Sequence, residues 1–419
     1  MGKLWITGGN GQLGMELREL SKTHGEHDFV FTDQDQLDIT DHAAVTRFVA
    51  EHQPDVILNT AAYTAVDRAE TDAETAYAVN HLAVAHLAKL AKESNMKLIH
   101  ISTDYVFEGT AQTPYTESDT PNPQTVYGKS KWEGEKALLE VNPSNSVIIR
   151  TSWLYSSYGS NFVKTMLRLG QEKSEIKVIA DQKGTPTYAN DLAKAILEIL
   201  PNIKNKDTEI YHYSNEGISS WYDFAKAIFA LKKIAVKVNP IKTAEFPTRA
   251  KRPHYSILNK RKIKETYGIK ISSWEDSLAR CLQKPEPKII ELSKILDVRG
   301  NLIWFENSNQ IPFDIKRTYF INDVPKGGIR GEHAFRRSTE FIVTLSGSFD
   351  VVLNDGRKEM KYSLNSSDYG LLVPNLIWRR MENFSAKAFA LIVSSISYNE
   401  ADYIRDFESF KRIRNGTKR

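Results

Sequence analysis

Apolar residues recur along this chain in two different rhythms. Up to about residue 150, short apolar runs, KLWIT (3–7), DFVFT (28–32), DVILNTA (55–61), KLIHIST (97–103) and SVIIRTS (146–152), alternate with stretches of helical spacing. In residues 73–94, Ala76, Val79, Ala83, Leu87 and Leu90 fall on one helical face, which predicts a long amphipathic helix. Strands separated by such helices imply βαβ units and a parallel, doubly wound α/β sheet. After about residue 165 the pattern is mixed, with a helix expected through SSWEDSLARCLQ (272–283). KPEPK (284–288) then interrupts the chain with two prolines and reads as a linker. Beyond it the rhythm changes to a period of two. Phe341, Val343 and Leu345 share one strand face, Phe349, Val351 and Leu353 another, and Asn354-Asp355-Gly356 supplies a hairpin turn. Short strands with tight turns argue for a β-sandwich or small barrel. The expected organisation is therefore residues 1–283, a linker at 284–288, and an all-β domain over 289–419.

Bulk properties narrow the class. The 419 residues are too many for one ordinary core, and 41% hydrophobic with 26% charged residues is the balance of a water-exposed globular chain. No apolar run approaches a membrane span. The net charge of +4 comes from scattered residues, so nucleic-acid binding is not indicated. MGKLWITGG runs straight into a strand without the apolar core of a signal peptide, and a lone cysteine, Cys281, suits a reducing cytoplasm.

Two stretches carry chemistry. ITGGNGQLG (6–14) joins the first strand to a helix, with Gly8, Gly11 and Gly14 spaced so that backbone can turn tightly against a pyrophosphate on the helix N-terminus. Asp33 follows the second strand about 20 residues on, where an acid can bind the adenosine ribose; that mildly favours NADH over NADPH. A solvated surface carboxylate is the alternative for Asp33. STDYVF (102–107) ends the fourth strand and VYGKSK (126–131) opens a helix. Tyr127 and Lys131, four apart, share a helical face, and an ammonium there would lower the phenol's pKa. Thr103 can hydrogen-bond a carbonyl or the Tyr127 hydroxyl. The three together define an oxidoreductase site.

TGGNGQLG, STDYVF and YGKSK resemble the extended short-chain dehydrogenase/reductase family. NTAAYTAVDRAE, RTSWLY, NFVKTMLRL, DQKGTPTYANDLA and RPHYSIL narrow the resemblance to the dTDP-4-dehydrorhamnose reductase family over roughly residues 1–283. The resemblance implies that NADPH or NADH reduces the 4-keto group of dTDP-4-dehydro-L-rhamnose. Tyr127 would donate the proton, Lys131 would hold the nicotinamide ribose, and Thr103 would align the carbonyl. Gly11, Gln12 and Leu13 would line the pyrophosphate, Asp38 and Ile39 the adenine, and Ala62, Tyr63 and Thr64 the rest of the cofactor. Asp104 and Trp153 would contact the sugar, although a core aromatic is an equal reading of Trp153. Arg252 would meet the substrate diphosphate; a solvated basic loop is its alternative.

GNLIWFENSNQIPFDIKRTYFI, LSGSFDVVLNDG and NEADYIRDFESF resemble the sugar 3,4-ketoisomerases, cupin jelly rolls acting on dTDP-4-keto-6-deoxyglucose, over about residues 288–413. That family usually reads R-G-x-H-A-H where this chain has Arg330, Gly331, Glu332, His333, Ala334 and Phe335, and a later Trp-His pair is Trp378-Arg379 here. Phenylalanine cannot move a proton. Arg317, Tyr319, Arg330 and His333 remain as candidate ligands for a sugar nucleotide. A metal site is not expected with a single histidine in the domain. The leading expectation is a reductase carrying a degenerate isomerase domain that dimerises. A bifunctional reductase–isomerase and a noncatalytic dinucleotide sensor are the alternatives, the last disfavoured by the intact Tyr127, Lys131 and Thr103 set.

Overall fold

A computed structural model of the chain describes residues 2–21, 24–25, 27–282, 286–306, 310–356 and 358–415. It divides into two compact units, Met1–Gln283 and Lys284–Arg419. Residues 284 and 285 of the expected linker lie outside the described residues, and Lys288 already opens a strand, Lys288–Glu291.

In the first unit each apolar run becomes a strand. These are β1 (Lys3–Thr7), β2 (Asp28–Phe31), β3 (Val56–Asn59), β4 (Lys97–Thr103) and β5 (Ser146–Thr151), joined by β6 (Glu209–His212). They form one parallel sheet in the order β6-β5-β4-β3-β1-β2. Alternation along each strand feeds two cores. Leu4, Ile6, Leu58, Ile99 and Ile149 pack on one face, and Trp5, Ile57, Leu98 and Ile148 on the other. Both faces being covered is what makes the runs continuously apolar.

The helix expected across residues 73–94 is broken by a π-helical turn at Ala78–Leu82, between Ala73–Tyr77 and α2 (Ala83–Glu93). The cause is tertiary. Asn80, buried within that turn, accepts from Tyr63 N at 2.9 Å and donates to Tyr63 O and Ser130 Oγ, both at 3.0 Å. Such turns are common near functional sites. Against it lies α3 (Val126–Val141), capped by Thr125 and carrying Tyr127 and Lys131. Gly134 makes the approach possible, since a Cβ there would sit 2.1 Å from Asn80 O.

The second unit has two five-stranded antiparallel sheets. One orders Lys288–Glu291, Tyr369–Val373, Glu340–Ser346, Phe389–Ser394 and Arg317–Ile321; the other orders Glu359–Leu364, Phe349–Asn354, Trp378–Glu382, Arg330–Phe335 and Tyr403–Ile404. Phe349, Val351 and Leu353 are buried as their alternation implies, and Asn354, Asp355 and Gly356 lead into a hairpin. Phe341 and Val343 are buried too, but Leu345 is 51% exposed because the ladder shifts register between Thr344 and Ser346. Among the described residues, no helix is long and apolar enough to cross a membrane.

Candidate active site

The site lies where the strands of the parallel sheet end. β1 runs into the glycine loop, and α1 (Gln12–Leu20) starts from Gly11 with no side-chain cap, leaving its first amides to an incoming group. Gly8 has φ +64°, and a Cβ on Gly14 would fall 2.4 Å from Gly8 O. This is a cradle of bare backbone that suits a dinucleotide pyrophosphate. Leu13 is buried beneath it. The Gln12 side chain turns away, bonding Leu154 O at 3.4 Å and Asn161 Nδ2 at 2.9 Å, so only its backbone faces the loop's mouth.

Asp33 is committed to the loop itself. Its carboxylate accepts from Asn10 N at 2.7 Å and Gln34 N at 2.8 Å. Asp38 accepts from Thr40 and Gln34; burial pushes its carboxyl up, but those hydrogen bonds win and hold it below its usual value. Ile39 is buried beside it. Across the sheet edge, Ala62 is half-buried, Tyr63 is buried with its hydroxyl on Asp72 at 3.0 Å, and Thr64 is exposed.

Thr103, Tyr127 and Lys131 converge at the end of β4. Thr103 Oγ1 donates to Asp104 Oδ1 at 3.0 Å and faces the Tyr127 phenol. Tyr127 is not lowered as the sequence implied. Burial pushes its phenol up to about 12, outweighing the opposing influence of the Thr103 hydroxyl, and Asp104 adds to the rise. The reason is where Lys131 points: its Nζ lies 2.6 Å from Ile101 O and 3.2 Å from His100 Nε2. Lys131 is itself 1% exposed, and burial pulls its amine down to about 8. Tyr127 therefore stands protonated at neutral pH.

Asp104 is 3% exposed, and burial raises its carboxyl to about 6. Its Oδ2 has no hydrogen-bond partner; Ser256 faces it and steadies the charge without completing bonding geometry. An orphaned buried acceptor of this kind is costly unless a ligand satisfies it. Trp153 adopts a left-handed backbone, φ +47°, and stacks on Trp221 with centroids 3.6 Å apart. Arg252 is not a free basic loop residue. It grips Asp67 through two hydrogen bonds of 3.1 and 2.6 Å, and that contact holds the Asp67 carboxyl low.

Spacing did not reveal the groups that support this cluster: Asn59, Asn80, His100, Glu135, Arg150 and Ser256. The available signal was polarity out of place, as with His100 inside the apolar run of β4.

In the second unit, Tyr319, Arg330, His333, Arg379 and Tyr403 line a cavity of about 350 Å³. His333 Nδ1 lies 2.9 Å from Gly331 O, and Nε2 3.2 Å from the Arg379 guanidinium. Burial, reinforced by Arg379, depresses its ring to about 3. Glu340, buried and not anticipated, accepts from Tyr319 at 2.9 Å and pairs with Arg379 and Arg317. Arg330 is exposed at the cavity rim. Among the described residues, no group of three or more His, Cys, Asp or Glu is placed to hold a metal.

A parallel sheet with a bare glycine cradle, and a Thr-Tyr-Lys cluster at its strand ends, defines the dinucleotide-dependent oxidoreductases of the short-chain type. Within that class the chain belongs to the RmlD family, whose model, described as "RmlD substrate binding domain", matches residues 2–286. A second model, described as "WxcM-like, C-terminal", matches residues 285–415. The dTDP-4-dehydrorhamnose reductase of Aggregatibacter actinomycetemcomitans is 44% identical over 288 residues, 66% of this chain and 97% of that protein. A crystal structure of dTDP-4-dehydrorhamnose reductase from Bacillus anthracis in complex with NADP is 41% identical, covering 68% of this chain and 99% of its own at a TM-score of 0.65. A 3,4-ketoisomerase from Helicobacter canadensis is 40% identical over 31% of this chain and 97% of its own, with a TM-score of 0.30.

The Asp104 shift gives a signed prediction. A carboxyl raised from 3.8 to about 6 by folding stabilises the fold below pH 4, and that contribution is lost as pH rises through 6. Asp104→Asn removes this loss, so relative to the parent it should gain roughly 3 kcal/mol between pH 4 and pH 8. Urea denaturation of the first unit at the two pH values measures it; an unchanged difference between the proteins would place the raised carboxyl elsewhere.

Proposed function

We propose that this chain reduces the 4-keto group of dTDP-4-dehydro-L-rhamnose with NADPH or NADH, giving dTDP-L-rhamnose. The observation that carries this reading is a buried Tyr127, protonated at neutral pH, on the helix that also brings Lys131 to the end of β4. The bound cofactor supplies hydride to the carbonyl carbon. Tyr127 gives its proton to the developing alkoxide, a role that needs the protonated phenol the burial enforces. Thr103 orients both the carbonyl and Tyr127. Lys131 holds the nicotinamide ribose and, once charged, stabilises the phenolate left behind. The cradle at Gly8, Gly11 and Gly14, with the backbone of Gln12 and Leu13, holds the pyrophosphate. Asp33 keeps the loop in shape next to the adenosine ribose, while Asp38 and Ile39 flank the adenine. Ala62, Tyr63 and Thr64 run along the remainder of the cofactor.

Asp104 offers its unpartnered oxygen to a sugar hydroxyl, and Trp153 supplies the apolar wall. Arg252 takes the substrate diphosphate, exchanging Asp67 for a stronger bidentate anion. Such a reaction runs in the cytoplasm, where reduced dinucleotide is abundant. Tyr127→Phe should lower turnover by roughly a hundredfold or more and leave cofactor binding intact. Near-normal NAD(P)H oxidation by that variant would remove Tyr127 from the mechanism.

The second unit is read as a sugar 3,4-ketoisomerase fold that has kept its cavity and lost its chemistry. Isomerisation takes a proton from one carbon and delivers it to the next, which needs a side chain able to do both. Phe335 cannot, and it lies beneath Arg379, 5.0 Å from ring centroid to guanidinium. His333 has its lone pair turned to Arg379 and stays neutral far below pH 7. Arg317, Tyr319 and Arg330 remain to bind a sugar nucleotide. Incubation with dTDP-4-keto-6-deoxyglucose without reduced cofactor should yield no 3-keto product. Efficient conversion by the parent would establish the bifunctional reading, whereas conversion gained only in Phe335→His supports the loss.

A second copy of this chain is the partner expected at the second unit. There the edge strand Arg317–Ile321 carries Phe320, 61% exposed and stacked on Phe389 beside the exposed Leu345. Sedimentation should give a dimer of the 47.6 kDa chain, shifted toward monomer by Phe320→Asp; a monomeric parent would overturn this assignment.

A further inference from the structure

Behind Lys131 runs a line of buried polar side chains that the reaction does not touch. Thr7, Asn59 and His100 end or interrupt β1, β3 and β4 and are 0%, 1% and 0% exposed. Thr7 Oγ1 donates to Asn59 Oδ1 at 2.7 Å, Asn59 Nδ2 meets His100 Nδ1 at 3.0 Å, and His100 Nε2 meets Lys131 Nζ at 3.2 Å.

Counting donors along this line fixes its direction. Thr7 Oγ1 already accepts from Ala61 N at 3.3 Å, and its own hydrogen goes to the Asn59 carbonyl. That turns the Asn59 amide nitrogen, which can only donate, toward His100 Nδ1. Nδ1 must then be the bare nitrogen of a neutral ring, and the ring proton sits on Nε2, aimed at Lys131. An ammonium there would set N–H against N–H. A neutral amine can receive the ring proton with its lone pair while giving one of its own hydrogens to Ile101 O, 2.6 Å away.

We propose that His100 is a positioning residue of this site: held as the Nε2–H tautomer by Asn59 and Thr7, it donates to Lys131 and disfavours that lysine's ammonium, lowering the pH at which Lys131 gives up its proton. The functional consequence rests on Lys131 serving the reductase reaction, but the tautomer does not. Burial moves both groups the same way, His100 well below its ordinary range and Lys131 to about 8. The other charged groups facing Lys131 do not cancel this. Glu135, one turn along α3, favours the ammonium but is tied to Arg150 and Ser102, with His212 behind Arg150. Asp104 and Tyr127 lie on the side of Thr103, and both are held toward their protonated forms by burial.

The test uses the full chain labelled with ¹⁵N-histidine, reading ring nitrogen shifts and couplings between pH 6 and 9. The expected result is a His100 ring protonated on Nε2 and bare on Nδ1. A proton on Nδ1, or on both nitrogens, overturns the proposal. His100 is assigned by its absence from His100→Gln. Should that variant not fold, Asn59→Asp presents an acceptor to Nδ1, and the one ring whose tautomer inverts is His100. In kinetics, His100→Gln can turn its amide oxygen to Lys131 and stabilise the ammonium. The alkaline limb of kcat/KM should then move up by about one pH unit, a tenfold change in proton concentration, in either viable variant. A limb that stays in place overturns the tuning of Lys131. A parent chain without reductase activity would defeat the functional reading alone, and the ring spectrum would still decide the tautomer.

Discussion

Everything at the reductase site depends on how closely α3 is pressed onto β4. The helix brings Tyr127 and Lys131, the strand brings Thr103 and His100, and contact between them is fixed by charge at full burial. Glu135 of α3 is 0% exposed and accepts from Arg150 of β5 at 2.7 Å as well as from Ser102 of β4. Removing one partner of such a buried pair typically costs about 3–5 kcal/mol, because the other charge is left uncompensated. A pair this demanding acts as a register pin, since the helix cannot slide along the strand without breaking it. Gly134 and the Asn80 turn then set how near the helix may come. The protonation states of Tyr127, Lys131 and Asp104 are consequences of that closeness.

In the second unit, what holds the fold and what lines the cavity are largely separate sets of residues. Its alternating strands still build two sheets around Phe349, Val351, Leu353 and Ile392. Arg379 reaches His333, Tyr319 and Glu340 together, so the cavity's one imidazole faces a permanent cation. Packing tolerates such exchanges because the sheets are held by apolar faces, whereas proton transfer depends on one or two atoms.

The strands of the parallel sheet were readable where both faces are buried, since burial on both sides writes an unbroken apolar run. β6 escaped because Glu209–His212 is short and half polar, with His212 serving Arg150 rather than the core. The π-turn at Ala78–Leu82 was invisible to periodicity, because the bonds that create it come from Tyr63 and Ser130, distant in sequence. At the site, a four-residue spacing was enough to put Tyr127 and Lys131 on one face. It could not show that Lys131 would turn to Ile101 and His100, so the sense of the Tyr127 shift was reversed. Likewise nothing near Arg252 in the sequence announced its partner Asp67, 185 residues away.

Trp153 and Trp221 lie 3.6 Å apart with their planes 8° from parallel, backed by Phe162. Two indoles that close do not absorb independently; their transitions mix into a pair of exciton states of opposite rotational strength. The chain thus carries an optical signature whose shape is fixed by the angle between Trp153 and its neighbour. Gly184 lies so close against the Trp153 ring that a Cβ there would fall 2.5 Å from it, which leaves the indole little room to drift. Any change in that signature reports movement of this indole pair, without a label of any kind.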